Sequence, residues 1–97
     1  MNVKLIRMYS GEDVIADLIG ENTVNLIINN PIVLVPGRDG TVGFAPWSPV
    51  ISPDVKELRV SLGYTVYVTT PNDDVVNNYN QIFSPLTLPK QNTGLIL

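Results

Sequence analysis

The stretch that most constrains the fold is residues 14–34, in which two apolar runs flank a short polar turn. The first run alternates, with Val14, Ala16 and Leu18 on one face and Asp13 and Asp17 on the other. A period of two is typical of a β-strand with one buried face. Residues 19–23 contain Gly20 and predict the turn to a second strand, which begins at Val24. We therefore expect a β-hairpin at the centre of a strongly bent sheet.

The second run is interrupted by Pro31, which cannot donate a hydrogen bond to a neighbouring strand. Residues 29–31 should therefore form a bend, a bulge or a point where the strand changes its partner. A long strand broken in its middle is what a small barrel needs at a corner. Further strands are predicted at residues 3–9, 41–47, 55–61 and 64–69, separated by turns rich in Gly and Pro. The barrel is expected to span residues 1–70.

A short helix is predicted over residues 71–84. Thr70 suits the N-cap, Pro71 the first helical position, and Asp73 and Asp74 the positive end of the helix dipole. The apolar positions recur at the spacing of one helix face, which should pack on the sheet or on a partner: Val75, Val76, Tyr79, Ile82 and Phe83. Residues 85–97 are apolar but contain Pro89 and Gly94, so we expect either an extended arm over a neighbouring subunit or a frayed end.

The chain contains no cysteine and no histidine. Disulfides, zinc sites of the Cys or His type and histidine-based catalysis are therefore excluded. An enzyme built on Asp13, Asp17 and Glu21 is disfavoured, since Asp13 and Asp17 should lie ~13 Å apart along one strand face, too far for paired carboxylate chemistry. We expect no enzyme, no cofactor and no metal.

The net charge is −3, and the basic residues are scattered along the chain. The dense positive field that unspecific phosphate binding requires is therefore missing. A chain of 97 residues makes one domain, near the size at which oligomerisation commonly supplements the core. No leader pattern and no apolar run of about 18 residues is visible, so we expect a cytoplasmic protein without a membrane segment. The apolar loop 48–54, with Trp47, should either cap the barrel mouth or pack on a neighbouring subunit.

One motif in residues 4–30 has a recognisable order. A turn glycine is followed by an apolar and a small strand residue, an acidic residue, and an apolar-Asn-Leu-aliphatic run: Gly11, Val14, Ala16, Leu18, Glu21, Val24, Asn25, Leu26, Ile27 and Ile28. This pattern resembles the first motif of the Sm-like family of Sm, LSm and Hfq proteins. The resemblance implies a bent five-stranded antiparallel sheet, or small open barrel. It also implies a ring of about five to seven subunits that pair their edge strands.

The same resemblance implies site residues. Asn25 would hydrogen-bond a base, Glu21 would orient Asn25, and Thr23 would lie where a base stacks. The strand end taken to correspond to the second motif of the family, residues 67–70, carries neither its Arg nor its Gly. The family's N-terminal helix is also missing, and the predicted helix lies at the other end of the chain.

Most of the chain also resembles small Sm-like proteins of tailed phages that infect marine cyanobacteria. The pattern comprises residues 10–13, Asn30-Pro31, residues 43–47 and residues 77–83. The resemblance implies a phage protein that works in the host cytoplasm, where phage or host proteins are candidate partners.

Two functions remain open. The first is a ring that binds single-stranded RNA or DNA through loops lining the pore, with weak contacts repeated in each subunit. Its candidate residues are Asn25, Asn22, Thr23 and Glu21, with Arg38, Arg59, Lys4 and Arg7 as phosphate partners. Asn22 and Asn25 could instead satisfy only the turn backbone. The second is a structural or protein-interaction ring without nucleic acid, favoured by the acidic balance. Trp47, Tyr64, Tyr67, Tyr79 and Phe83 are the predicted interface residues.

Overall fold

A computed structural model describes residues 1–83. The predicted fold class is confirmed in this part, which is mainly β with a bent antiparallel sheet and one short C-terminal helix. The sheet has six strands rather than five and does not close. The elements in chain order are β1 (Val3–Met8), β2 (Asp13–Glu21), β3 (Asn25–Pro36), β4 (Val42–Pro46), β5 (Leu58–Ser61), β6 (Thr65–Thr69) and α1 (Asp73–Phe83). Short 3-10 turns at Arg38–Gly40 and Leu62–Tyr64 join β3 to β4 and β5 to β6.

The long strand β3 pairs with three neighbours. Along the sheet the order is β4-β3-β2-β1-β6, while β5 pairs only with the first part of β3. Asn25–Ile28 pair with β5 and Ile32–Pro36 with β4, so β3 changes partner across residues 29–31. The register with β2 also shifts there, and Asn30 has φ +50°. The predicted break at Pro31 is confirmed as both a bulge and a change of partner.

Two apolar clusters lie on opposite faces of the sheet. One joins Val60 of β5 to Ile6 and Met8 of β1, strands that are not neighbours in the sheet, so it fills the inside of the bend. The other lies between the sheet and α1 and contains Ile15. The prediction that β2 has a single buried face is therefore wrong at Ile15, because α1 covers the second face.

The helix begins two residues later than predicted, and its N-cap is Asn72 rather than Thr70. The Asn72 Oδ1 accepts a hydrogen bond from the backbone N–H of Val75 at 3.0 Å. Pro71 is buried ahead of the helix. Most of the predicted stripe packs on the sheet, whereas Ile82 is 55% exposed. Packing of Ile82 on a partner stays a prediction.

The centre of α1 is attached to the bulge in β3 by Tyr79. The Tyr79 hydroxyl accepts a hydrogen bond from the backbone N–H of Asp17 at 3.1 Å. It shares its proton between the carbonyl oxygens of Asn29, at 3.2 Å, and Asn30, at 2.9 Å. Tyr79 is 0% exposed, so its prediction as a subunit-interface residue is wrong. Its hydroxyl satisfies backbone groups that the irregular register leaves available.

Some boundaries also differ from expectation. The predicted strand at residues 55–61 begins only at Leu58, and β2 continues through Gly20 to Glu21, so the turn lies at residues 22–24. The predicted helix end at Ser84 and the tail at 85–97 lie outside the described residues. Within residues 1–83, no helix has the length and apolar character needed to cross a bilayer.

The buried phenol predicts a pH dependence of stability. Burial raises the pKa of Tyr79 above its ordinary value of 10.0. The folded state therefore keeps the proton that the unfolded state releases, and the stability contributed by Tyr79 is present below about pH 10 and is lost as the pH rises further. Urea unfolding from pH 9 to 11.5 should show the wild type losing about 1.4 kcal/mol per pH unit more than Tyr79→Phe above pH 10. Parallel curves for the two proteins would contradict this.

Candidate nucleic-acid interface

Three chain segments meet at one end of the sheet. The Leu62 N–H donates to the carbonyl oxygen of Val24 at 2.8 Å, which joins the β5–β6 turn to the β2–β3 turn. The Tyr9 N–H donates to the carbonyl oxygen of Tyr64 at 2.9 Å, which adds the end of β1. We call this the turn surface and define it as residue 9 with residues 22–25, 59 and 61–64. It brings together candidates that lie far apart in the sequence.

The two asparagines of the turn surface differ in their bonding. Asn22 Oδ1 accepts hydrogen bonds from the backbone N–H groups of Val24 and Asn25, both at 2.8 Å. This oxygen therefore has the structural role that asparagine commonly has in turns. The half-buried Asn25 side chain makes no hydrogen bond among residues 1–83. Both the oxygen and the nitrogen of the Asn25 amide are thus available to a ligand, whereas Asn22 has only its nitrogen available.

Glu21 does not hydrogen-bond Asn25 in the described part of the chain. Glu21 lies directly opposite Leu26 in the β2–β3 register. Because successive side chains alternate between faces, Asn25 points to the other face of this ladder. Thr23 is exposed in the turn. The orienting role implied for Glu21 therefore lacks the geometry it needs.

Arg59 is brought to Asn25 by the pairing of β5 with β3. Asn25 lies opposite Ser61, and Ile27 lies opposite Arg59. Asn25 and Arg59 are therefore diagonal neighbours on one sheet face, a relation that places two residues about 7–8 Å apart, with their Cβ atoms somewhat closer. The exposed Arg59 makes no ion pair within residues 1–83. An amide and a guanidinium side by side can bind a base edge and the phosphate next to it.

Two exposed tyrosines supply the aromatic surface that Thr23 lacks. The ring centroids of Tyr9 and Tyr64 lie 6.2 Å apart, with the ring planes tilted by 55°. Both side chains are exposed. Aromatic rings are the side chains on which single-stranded bases stack. Tyr9 was missed from the sequence, because nothing local indicates that the end of β1 lies beside the β5–β6 turn.

The other predicted cations lie elsewhere. Arg7 forms a two-pronged ion pair with Asp13, with Nε–Oδ1 at 2.6 Å and Nη2–Oδ2 at 3.1 Å. The hydrogen bond to Asp13 and its charge raise the pKa of Arg7. The Lys4 Nζ donates to the hydroxyl of Thr70 at 3.1 Å. Arg38 lies in the β3–β4 turn, at the far end of β3. Arg59 is therefore the one of these four cations that belongs to the turn surface.

The segment beside the first motif is also different from the one expected. Residues 67–69 belong to β6 and pair with β1. The backbone that contacts the β2–β3 turn is the Leu62–Tyr64 turn. This turn contains Gly63 and has Leu62 in place of an arginine. The assignment of residues 67–70 to that position is therefore wrong, because β6 leaves the turn to join the opposite edge of the sheet.

The remaining predicted interface residues occupy three environments. Trp47 packs against the cluster inside the bend, and its indole N–H donates to Glu12 Oε2 at 3.1 Å. Phe83 is half-buried against the cluster under α1. Tyr67 is exposed on β6, where its ring lies 6.0 Å from the Arg7 guanidinium carbon. Contact of these three residues with another subunit stays a prediction.

The strands β5 and β6 each have an edge without a partner strand in residues 1–83. β6 pairs only with β1, and β5 pairs only with β3. Val66, Tyr67 and Val68 are exposed on β6, which carries no charged residue. Uncharged apolar edges with unpaired backbone groups favour addition of another strand.

Within the same residues, no group of three or more carboxylate, His or Cys side chains is placed to hold a metal ion. No protein-family model and no curated protein sequence matches the chain.

Proposed function

We propose that this chain is a subunit of an Sm-like homo-oligomeric ring that binds single-stranded RNA or DNA, without an enzymatic role. The observation that carries the proposal is the turn surface, which places the Asn25 amide, the Arg59 guanidinium and the Tyr9–Tyr64 pair at one end of the sheet. These groups match the three parts of a nucleotide, because an amide reads a base edge, a guanidinium binds phosphate and a ring stacks on a base.

Ring assembly follows from the unpaired edges of β5 and β6. If β5 of one copy pairs with β6 of the next, both edges are removed, and the same contact repeats until the ring closes. The turn at Leu62–Tyr64 connects these two edges, so pairing them places the turn surfaces of successive copies next to each other. Repetition of one weak contact set then compensates for the net charge of −3 on each subunit.

Stacking of bases on the Tyr9–Tyr64 pair should contribute to binding. Tyr9→Ala and Tyr64→Ala should each weaken binding of a fluorescein-labelled single-stranded oligonucleotide by about tenfold, since base stacking contributes about 1–3 kcal/mol. Tyr9→Phe and Tyr64→Phe are the matched controls, because they retain the ring and should bind like the wild type. Fluorescence anisotropy at low salt measures the change. Equal affinity of the alanine and phenylalanine variants would exclude stacking at this pair.

The direct test is native mass spectrometry of protein purified at low salt without nuclease. A ring carrying heterogeneous extra mass, which disappears after nuclease treatment, would support the proposal. If the ring carries nucleic acid, Asn25→Ala and Arg59→Ala should reduce the bound fraction. A monomer would contradict the assembly.

A protein-interaction ring is the second candidate. It is favoured because two of the basic side chains are already bonded within the chain. Arg7 is paired with Asp13, and Lys4 is bonded to Thr70, which leaves few unpartnered cations for phosphates. Such a ring would use its exposed apolar residues to organise a phage or host protein. A ring of the expected mass with no nucleic acid in the same experiment would favour this candidate over the first.

A further inference from the structure

An open apolar groove lies at the C-terminal end of α1. Its walls come from β3, β4, the loop at residues 47–57 and the last two residues of the helix. The groove has a volume of about 340 Å³, and no charged side chain lines it. The side chains that matter here are Pro31, Phe44, Ile51, Val55, Ile82 and Phe83.

Exposed aliphatic side chains form part of the groove. Ile82 continues the apolar stripe of α1, yet the sheet leaves it largely exposed. Val55 is also exposed. An apolar groove of this kind gains stability when a further apolar segment covers it, because apolar surface is then removed from water.

The chain itself provides such a segment at the right place. Phe83 lines the groove and is the residue from which the chain continues into Ser84-Pro85-Leu86-Thr87-Leu88-Pro89. The two leucines are separated by one residue, the spacing that puts side chains on the same side of an extended backbone. Lys90 is the one charged side chain in residues 84–97, so this sequence matches the uncharged lining.

We propose that residues 84–89 of the same chain occupy this groove, with Leu86 and Leu88 as the side chains that enter it. At about 3.3 Å per residue, Leu88 can reach roughly 17 Å from Phe83. Attachment gives this segment an effective concentration in the millimolar range at its own groove. This intrachain contact therefore has an advantage over the same segment from a second copy. The inference is independent of nucleic-acid binding.

The first test is NMR of the full-length protein with ¹³C-labelled leucine methyl groups. Contact with Phe44 and Phe83 should give nuclear Overhauser effects from the methyl groups of Leu86 and Leu88 to these rings, together with upfield methyl shifts. A sample mixed from labelled and unlabelled chains distinguishes contacts within one chain from contacts between two chains. Effects seen only between different chains would overturn the proposal in favour of a neighbouring copy, and absence of any effect would overturn it outright.

The second test is a double-mutant cycle in the full chain, followed by urea unfolding at one fixed protein concentration. Leu86→Ser with Leu88→Ser should lower the folding equilibrium constant at least about tenfold. Leu95→Ser with Ile96→Ser is the matched control and should change it less than about twofold. Ile82→Ser should cost several-fold more in the wild type than in the Leu86→Ser, Leu88→Ser background. Additive effects, or equal loss in the control, would refute the contact.

Discussion

Replacing Tyr79 with phenylalanine is expected to lower the free energy of unfolding by about 1–3 kcal/mol. The change removes one oxygen atom and keeps the ring inside the cluster under α1. The backbone N–H of Asp17 then loses its acceptor, and the carbonyl oxygens of Asn29 and Asn30 lose their donor. These groups lie where β3 bulges, so no regular strand partner replaces the hydroxyl. Chemical denaturation at neutral pH measures the loss.

Two further variants separate the hydroxyl from the ring. Tyr79→Ala should cost about 3–5 kcal/mol, because it also leaves a cavity between α1 and the sheet. Tyr9→Phe removes a hydroxyl from an exposed ring and should change stability by less than about 0.5 kcal/mol. If Tyr79→Phe were as stable as the wild type, the attachment of α1 to the bulge through this hydroxyl would be disproved.

Replacing Val66 with lysine is expected to convert the proposed ring into monomers. Val66 is 56% exposed on β6, and the β1–β6 register passes from Tyr67 to Thr65 without pairing it. The substitution therefore leaves the fold of the single chain intact. A charge on an edge strand opposes the addition of another strand, because the ammonium group must lose water on pairing. Sedimentation velocity of the wild type and the variant at equal concentration measures the change in mass.

Val50→Lys is the matched control for this prediction. It introduces the same side chain at a position that is 90% exposed in the loop between β4 and β5. The control should sediment like the wild type. If Val66→Lys formed the same oligomer as the wild type, β6 would not be the assembly edge. A monomeric wild type would remove the ring proposal as a whole.

Much of the fold could be predicted because local patterns carry the information. The alternation in β1 and β2 and the turn residues around them indicate strands, and each strand was located to within a few residues. Pro31 indicated the break in β3, since the lack of a backbone donor acts wherever the residue is placed. The helix was found from its apolar spacing and its acidic first turn.

The errors arose where a residue's environment depends on a distant segment. The alternation predicts an exposed face with Asp13 and Asp17, to which Ile15 also belongs, because the sequence does not show that α1 covers that face. The sequence predicts Tyr79 as an interface residue, because its place in the apolar stripe does not show whether the stripe packs on its own sheet or on another chain. Ile82 belongs to the same stripe and remains 55% exposed, because it borders the open groove beside Phe44 instead of packing into the core.

For the candidate site, too, the sequence predicts the local position of each residue but not which residues lie together. From the sequence alone, Asn22 and Asn25 could be placed in or beside a turn, and Arg59 near the end of a strand. Only the pairing of β5 with β3 places Arg59 beside Asn25, and only the contact between β1 and the β5–β6 turn brings Tyr9 to Tyr64. Secondary structure follows from the backbone preferences and spacing of neighbouring residues, which the sequence determines. The site depends on which strands pair, and that is decided by burial of apolar surface across the whole chain.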